Sequence, residues 1–160
     1  MPIQKLRQFL DENHVKYIVI THSKAYTAQG VAASAHISGN ELAKTVMLKK
    51  NGELCMAVLP ASKQVNLAVF AELTNSEDVS LASERDFKDR FPDCEVGAMP
   101  PFGNLYGLRV FVDTSLSCDK EIAFNAGSHL ELVQLAYSDF ERLVEPTIVD
   151  FTNRPARHAA

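Results

Sequence analysis

The pair Asn51-Gly52 limits the possible folds of this chain more than any other short feature, because it separates two apolar runs. Asn-Gly is the pair that a type I′ turn prefers, since both central residues of that turn need a positive φ. The pattern predicts two antiparallel strands, Leu42 to Lys49 and Leu54 to Leu59, joined by this turn. The fold must therefore contain a sheet that accommodates a β-hairpin.

Lys44 lies inside the first strand of this predicted hairpin. Side chains alternate between the two faces of a strand, so Lys44 shares its face with Leu42, Val46 and Leu48. A lysine with apolar neighbours must be paired, reach solvent through its stem, or line a pocket. Two interpretations stay open: Lys44 is a functional residue in a pocket, or it is an edge-strand lysine that discourages aggregation between sheets.

The remaining pattern alternates short helices and strands without a regular βαβ order. Helical spacing and capping patterns predict helices over 2–13, 27–37, 67–73, 83–90 and 138–144. Further strands are predicted over 15–20, 79–82, 108–113, 121–125 and 130–135. This order predicts an α+β fold, with one mixed, mainly antiparallel sheet of about six strands and surrounding helices. We expect one domain over 1–152 and a flexible tail over 153–160.

Composition and charge limit the possible partners. The 160 residues carry a formal net charge of -4, which gives no general attraction to nucleic acid, so RNA binding would need a local basic patch. Cys55, Cys94 and Cys118 are far apart and form neither a disulfide framework nor a zinc pattern, which suits a cytoplasmic protein. The start of the chain does not resemble a signal peptide, and no apolar run approaches the length of a membrane span.

Two later segments carry an unusual set of residues. The run Gly97-Ala98-Met99-Pro100-Pro101-Phe102-Gly103 combines stiff prolines with permissive glycines, so it either presents backbone groups to a ligand or simply connects strands. The run Asn125-Ala126-Gly127-Ser128-His129 is either a ligand-binding segment or a polar hairpin turn. His22 and His129 are candidate acid–base groups because histidine titrates near neutrality. His14, His22 and His36 lack the spacing of a helical metal pair, and we expect no metal.

Three segments in this order resemble the YbaK / prolyl-tRNA synthetase-associated domain family: Ala43-Lys44-Thr45, Gly97 to Gly103, and Ile122 to Gly127. The resemblance covers about residues 15–144. This family consists largely of editing domains that hydrolyse the ester between a wrong amino acid and the 3′ end of a tRNA. The resemblance implies a YbaK-like fold, no metal or organic cofactor, and a free-standing deacylase for a small amino acid such as Ala, Ser, Thr or Cys.

The resemblance also implies which residues form the site. Lys44 matches the family's signature lysine and is the expected catalytic residue. The expected substrate-binding residues are Thr27, Thr45, Gly97, Ala98, Met99, Pro100, Phe102, Gly103, Asn125, Gly127, Ser128 and His129. Gly127-Ser128-His129-Leu130 matches neither the Gly-Lys-Arg-Gly type segment of cysteine-specific members nor the His-Pro-x-x-Asn type segment of alanine-specific members, so the amino acid stays open.

The expected partners are the charged 3′ end of a tRNA and an aminoacyl-tRNA synthetase. Lys44 acts either as a cation, toward a phosphate, the sugar or the oxyanion, or as a neutral base after burial lowers its pKa. A splayed base could stack on Phe102 or Tyr106. Two interpretations stay open for Lys24, Lys49, Lys50 and Arg109: each is a phosphate contact or simply a solvated surface charge.

Two other functions fit the same pattern. The fold could serve as a non-catalytic module that binds an aminoacyl group, a nucleotide or a synthetase. It could also hydrolyse another small aminoacyl ester. Catalytic turnover distinguishes an editing enzyme from the non-catalytic module, which only binds. Dependence on the body of the tRNA distinguishes editing from hydrolysis of another aminoacyl ester.

Overall fold

The computed structural model describes residues 3–21 and 41–152, which form an α+β fold around one sheet. The strands are β1 (Tyr17–Thr21), β2 (Leu42–Lys50), β3 (Glu53–Pro60), β4 (Val79–Leu81), β5 (Arg109–Asp113), β6 (Glu121–Asn125), β7 (Glu131–Ala136) and β8 (Thr147–Val149). The helices are α1 (Gln4–Glu12), α2 (Leu67–Leu73), α3 (Glu84–Phe87), α4 (Thr114–Ser117) and α5 (Tyr137–Val144), with 3₁₀ turns at Lys88–Arg90 and Gly103–Tyr106.

The eight described strands form a mixed sheet in the order β1-β7-β6-β2-β3-β5-β8, with β4 beside β2. The pairs β2–β6, β3–β5 and β5–β8 are parallel, and the four other pairs are antiparallel. The predicted fold class is confirmed, but the prediction of about six strands is too low. The sequence analysis did not predict β8, a strand of three residues near the end of the described chain.

The predicted hairpin is confirmed together with its register. β2 and β3 pair from Ala43 opposite Pro60 to Lys50 opposite Glu53, which leaves Asn51 and Gly52 as the turn. Both turn residues have a positive φ, 51° for Asn51 and 85° for Gly52, as a type I′ turn requires. β2 has neighbours on both sides, so it is not an edge strand of the sheet, although these neighbours do not pair along its whole length.

Two hydrophobic clusters lie on opposite faces of the sheet. The larger cluster includes Leu6 and Leu10 of α1, Phe140 of α5, and Ala43 and Met47 of β2. The smaller cluster is built around the ring contacts of Phe70 in α2 with Phe111 and Phe151, whose centroids lie 5.1 and 5.4 Å away. Strand alternation explains this division, because Ala43 and Met47 face one cluster while Leu48 faces the other.

Several local predictions have a defined outcome. The capping box of Ser83 and Asp86 is confirmed at the start of α3. The box predicted for Ser138 and Glu141 is wrong, because α5 begins at Tyr137 with Ala136 as its N-cap. The predicted helix over 27–37 and the tail over 153–160 lie outside the described residues, as do His22 and Lys24. No helix in the described ranges is long and apolar enough to cross a membrane.

Candidate active site

Among the described residues, the sheet has an opening on one side of β2. On that side, β6 pairs with Leu42 and Ala43, whereas β4 pairs only from Leu48 onward, with one further backbone bond from Ala82 N–H to the Met47 carbonyl. The intervening residues, 44–46, therefore face no paired strand from 3–21 or 41–152 on that side. At about 3.3 Å per residue, the opening extends about 10 Å along the strand. Because β6 runs parallel and β4 antiparallel to β2, the carboxyl ends of both strands point into it.

Lys44 lies at the rim of this opening. By strand alternation its side chain lies on the face of Leu48 and Leu59, the face of the smaller hydrophobic cluster. The side chain is half-buried, and this burial lowers the pKa of its ammonium from the ordinary value for lysine. Among residues 3–21 and 41–152, no carboxylate forms an ion pair with Lys44. With respect to these described residues, the ammonium is thus a partly desolvated charge without a carboxylate partner.

Asn125 follows directly after the part of β6 that pairs with β2. The register sets Leu42 beside Ala123 and Ala43 beside Phe124, where the pairing of the two strands ends. Extended by one residue, the same register would set Asn125 beside Lys44 on one face of the sheet. Asn125 is only 8% exposed. Within the part of the chain that the structure describes, no group donates a hydrogen bond to its side-chain oxygen. A buried acceptor without a donor is costly, which makes this oxygen a good partner for a bound donor.

The two segments that the sequence singled out pack directly on each other, immediately after β6. Gly127 N–H donates to the Ala98 carbonyl at 2.9 Å, and Glu95 N–H donates to the Gly127 carbonyl at 2.8 Å. His129 is 4% exposed, and its Nε2 donates to the Val96 carbonyl at 2.9 Å. Residues 95–98 and 125–129 thus form one continuous wall that begins at the end of β6.

Gly127 has a structural role in this wall. Its φ is +99°, a conformation that L side chains rarely adopt, and a Cβ at this position would collide with the side chain of Ile3. Ile3 N–H also donates to the carbonyl of neighbouring Ala126 at 3.1 Å. Ile3, at the start of the described chain, therefore packs against this wall and supports it. A substrate-binding role for Gly127 stays a prediction. Ser128 accepts a hydrogen bond from Leu130 N–H at 3.2 Å, which closes the turn into β7.

The proline-containing loop contributes mostly to the core. Met99 and Phe102 belong to the larger hydrophobic cluster, on the face opposite to Lys44. The Phe102 ring is fully buried, with ring centroids of Phe9, Phe124 and Phe140 at 6.0, 5.4 and 5.6 Å. The suggestion that Phe102 stacks on a base is therefore wrong for this structure, because no face of the ring is accessible.

Other predicted site residues have clear positions. Gly103 is a packing glycine, because a Cβ there would lie 2.6 Å from Val110 Cγ2 and 2.8 Å from the Leu108 carbonyl. Ala98 and Pro100 are buried, whereas Gly97 is exposed with a φ of +85°. Thr45 is half-buried at the opening, and by alternation it points to the face opposite to Lys44. Thr27 lies outside the described residues.

The sequence analysis missed the opening itself and its second rim, which Leu81 and Ala82 form at the end of β4. No sequence signal could have found it, because the opening arises where two strands from distant parts of the chain both stop. The described residues contain no group of three or more His, Cys, Asp or Glu side chains that could hold a metal ion.

Within the part of the chain that the structure describes, the opening is lined by a lysine without a carboxylate partner and by a buried amide. Such a set of groups is suited to binding and polarising a substrate. Residues 22–143 match the model of the aminoacyl-tRNA editing domain family. This match covers most of the chain, so the protein belongs to the aminoacyl-tRNA editing domain family. The resemblance seen in the sequence is confirmed.

Individual relatives agree with this assignment. The chain is 29% identical over 153 residues to the multifunctional Ser/Thr-tRNA deacylase ProXp-y of Escherichia coli K12, an alignment that covers 92% of this chain and 91% of the relative. The O157:H7 strain of Escherichia coli carries a protein of the same name with the same identity and coverage.

Solved structures share the fold at lower sequence identity. The crystal structure of the hypothetical protein APE2540 has a TM-score of 0.83 and 19% identity, and covers 94% of this chain and 100% of its own. A candidate trans-editing enzyme for prolyl-tRNA synthetase has a TM-score of 0.79 and 15% identity, and covers 94% of this chain and 96% of its own.

Proposed function

We propose that this protein hydrolyses the ester that joins a small, wrongly attached amino acid to the 3′ end of a tRNA. The observation that carries the proposal is the half-buried ammonium of Lys44, which no carboxylate of the described residues pairs with, at an opening that the buried side chain of Asn125 borders at the end of β6. Family membership gives the reaction class, aminoacyl-tRNA deacylation. Serine and threonine are the first candidates, because the Escherichia coli relatives are named for these two amino acids.

The chemistry requires little more than positioning and charge stabilisation. A water molecule attacks the ester carbonyl, and negative charge develops on the carbonyl oxygen. The bond between the acyl carbon and the ribose oxygen then breaks, the amino acid leaves as the free acid, and the ribose oxygen takes up the proton that the water loses. An ammonium held in a partly desolvated site stabilises this oxyanion more strongly than the same group does in water. Lys44 acts in this proposal as a cation, and Asn125 orients the substrate by accepting a hydrogen bond from its ammonium or hydroxyl groups.

A second hydrolytic site of this kind is useful because synthetases discriminate poorly between small amino acids. One methylene changes binding in an apolar pocket by only about 1–3 kcal/mol. The proposed partners are therefore a mischarged tRNA and the synthetase that mischarges it. A cytoplasmic location is part of the proposal, and Cys55, Cys94 and Cys118 are all free thiols.

The test is deacylation of a panel of tRNAs loaded with Ala, Ser, Thr, Cys or Pro. Lys44→Ala and Lys44→Arg are compared with Lys16→Ala, a control at an exposed lysine between α1 and β1. We expect release of Ser or Thr to fall about 10²–10³-fold in Lys44→Ala, the usual cost of losing one group that stabilises an oxyanion. Lys44→Arg should recover part of the rate because arginine keeps the positive charge.

The outcomes separate the hypotheses. Undiminished release in Lys44→Ala would reject the lysine-centred mechanism but not the reaction class. Binding of charged tRNA without turnover on any member of the panel would favour the non-catalytic module. Lys44 as a base predicts that activity rises with pH as the ammonium deprotonates, whereas Lys44 as a cation predicts that activity is lost there.

A further inference from the structure

The end of the hairpin far from Lys44 carries a groove that the proposed chemistry does not use. Two adjoining cavities of about 510 and 100 Å³ lie on either side of the β2–β3 hairpin end. They share Glu53, Leu54 and Gly107, so they form one groove around the strand ends, which we call the hairpin-end groove. Gly107 widens it, since no atom lies within 4 Å of a Cβ built at this glycine.

The lining of the hairpin-end groove is basic in a chain that is acidic overall. The larger cavity is lined by Lys49 and Arg90, and the smaller one by Lys50 and Arg109. The acidic lining residues are Glu53 and Asp86, so the groove has a positive balance although the whole chain carries a formal charge of -4. This is the local basic patch that RNA binding by an acidic protein requires.

Most of the basic side chains that line the groove are available to bind a phosphate. Asp86 accepts hydrogen bonds from Ser83 N–H and Oγ, both at 2.8 Å, and lies 3.5 Å from the Lys49 ammonium. Lys50, Arg90 and Arg109 form no ion pair with any residue of the described ranges. Two of these positively charged groups are arginines, whose planar guanidinium matches the geometry of a phosphate.

The groove is also rigid. Asn51 Oδ1 accepts hydrogen bonds from Glu77 N–H and Asp78 N–H, both at 3.0 Å, and Asn51 N–H donates to the Asp78 carbonyl at 2.7 Å. The hairpin tip is thereby fixed to the start of β4. The Arg109 guanidinium lies 5.2 Å from the centroid of the Phe111 ring, which orients it at the rim.

The groove and Lys44 lie on the same strand. Lys50 and Lys44 share a face of β2 and are six residues apart, which corresponds to about 20 Å. A free amino acid or a single adenosine cannot reach from one to the other, whereas a polynucleotide can. We propose that the hairpin-end groove binds backbone phosphates of the tRNA acceptor arm while the charged 3′ end enters the opening at Lys44. This proposal rests on the proposed function for its substrate.

The test measures the hydrolysis of two substrates and, separately, the binding of uncharged tRNA. The substrates are seryl- or threonyl-tRNA and the same amino acid esterified to adenosine alone, which cannot reach the groove. The variants are Lys50→Gln, Arg90→Gln and Arg109→Gln, with Lys16→Gln as the control and thermal melting to check the fold. Binding of uncharged tRNA is measured over a range of salt concentrations.

We expect each groove variant to lower kcat/KM for the tRNA substrate about 3- to 10-fold and to leave the adenosine ester unchanged. The slope of log K against log salt should fall by about 1 for each phosphate contact that is lost. Equal losses on both substrates, or tRNA affinity and salt slope unchanged in all three variants, would overturn the proposal. So would ATP binding that depends on these residues while tRNA binding does not.

Failure of the groove is distinguishable from failure of the proposed function. Hydrolysis of both substrates with no effect of the groove variants rejects the groove and keeps the deacylase. Binding of uncharged tRNA that depends on the groove, without hydrolysis of either substrate, supports the groove and rejects the deacylase.

Discussion

The charged side chain of Lys44 lies between Leu42 and Val46 on one face of β2, and burial removes part of the hydration of its ammonium. A desolvated charge without a partner destabilises the folded state, and such costs are found where function requires them. Asn125 adds a buried oxygen that no described residue satisfies. Both features lie at the same part of the sheet. A substitution there that removes the desolvated charge should therefore raise the stability of the fold while it lowers activity.

Replacement of Lys44 by methionine, which has a similar volume, should stabilise the protein. The pKa of Lys44 is lowered in the folded state, so below that pKa the folded protein bears a desolvation cost that the unfolded chain does not. We expect Lys44→Met to raise Tm by about 1–2 °C near neutral pH, a small effect because the half-exposed ammonium keeps much of its hydration. The advantage should shrink as pH rises toward the unfolded pKa of about 10.4.

Thermal melts of both proteins from about pH 7 to pH 10 check this expectation. Lys44→Gln is the matched control, because it removes the charge but keeps a polar end. A wild-type protein that is more stable than Lys44→Met at neutral pH would mean that the ammonium has a partner after all.

Changes at Asn125 should affect activity more than folding. Asn125→Asp places a carboxylate beside Lys44, which would pair with the ammonium and compete with the substrate. We expect Asn125→Asp to lower kcat/KM for the aminoacyl-tRNA at least 10-fold, and Asn125→Ala to lower it about 3- to 10-fold through one lost hydrogen bond. Kinetics with seryl- or threonyl-tRNA measure both values, and unchanged kinetics in both variants would remove Asn125 from the site.

At the scale of elements, β2 organises the site because it has three strand neighbours. β3 covers one side along most of its length, while β6 and β4 share the other side and leave the opening between them. The hairpin turn holds this arrangement, since Asn51 connects the hairpin tip to residues just before β4. The turn therefore has a tertiary role in addition to reversing the chain.

Replacement of Asn51 should cost more than an ordinary turn substitution. Asn51→Ala removes an acceptor of two backbone hydrogen bonds and puts alanine at a φ of 51°, which asparagine tolerates better. We expect a loss of about 2–4 kcal/mol in the free energy of unfolding, measured by urea denaturation. Asn51→Asp keeps the acceptor and should cost clearly less, so similar losses in the two variants would contradict the tertiary role.

At the scale of the whole molecule, Asp113 connects the end of the described chain to the sheet. The carboxylate is fully buried and accepts hydrogen bonds from Phe151 N–H at 3.0 Å, Thr152 N–H at 3.2 Å and Ser115 N–H at 3.1 Å, with a further short bond from Ser115 Oγ. These bonds hold the Phe151 ring against Phe70 in the smaller cluster. The smaller hydrophobic cluster, which lies on the same face of the sheet as Lys44, is thus completed by residues near the end of the described chain.

Asp113→Ala should destabilise the protein by about 3–5 kcal/mol, because it leaves two buried backbone donors, Phe151 N–H and Thr152 N–H, and the part-buried Ser115 N–H without an acceptor. Asp113→Asn keeps one side-chain oxygen and should cost less. Urea denaturation of both variants measures the difference. A cost near zero for Asp113→Ala would show that the chain beyond β8 contributes little to the fold.

Much of this molecule was predictable from local patterns. The Asn51-Gly52 turn, the two hairpin strands and the capping box at Ser83 follow from rules that involve neighbouring residues only, and all are confirmed. The enzyme class, an aminoacyl-tRNA deacylase, followed from the ordered motifs and is confirmed by the family match and the relatives. The substrate-binding residues expected from the resemblance stay predictions.

The long-range arrangement was not predictable in the same way. Strand alternation placed Lys44 on a face, but the partners of that face depend on which strands lie beside β2, and β6 comes about 80 positions later in the chain. The same pairing brings the end of β6, with Asn125, to the opening, and the Phe102 ring is buried against Phe124 of that strand. Hydrophobic periodicity encodes which side chains are buried, whereas pairing between distant strands determines which polar groups meet at the opening, because that choice depends on the packing of the whole sheet.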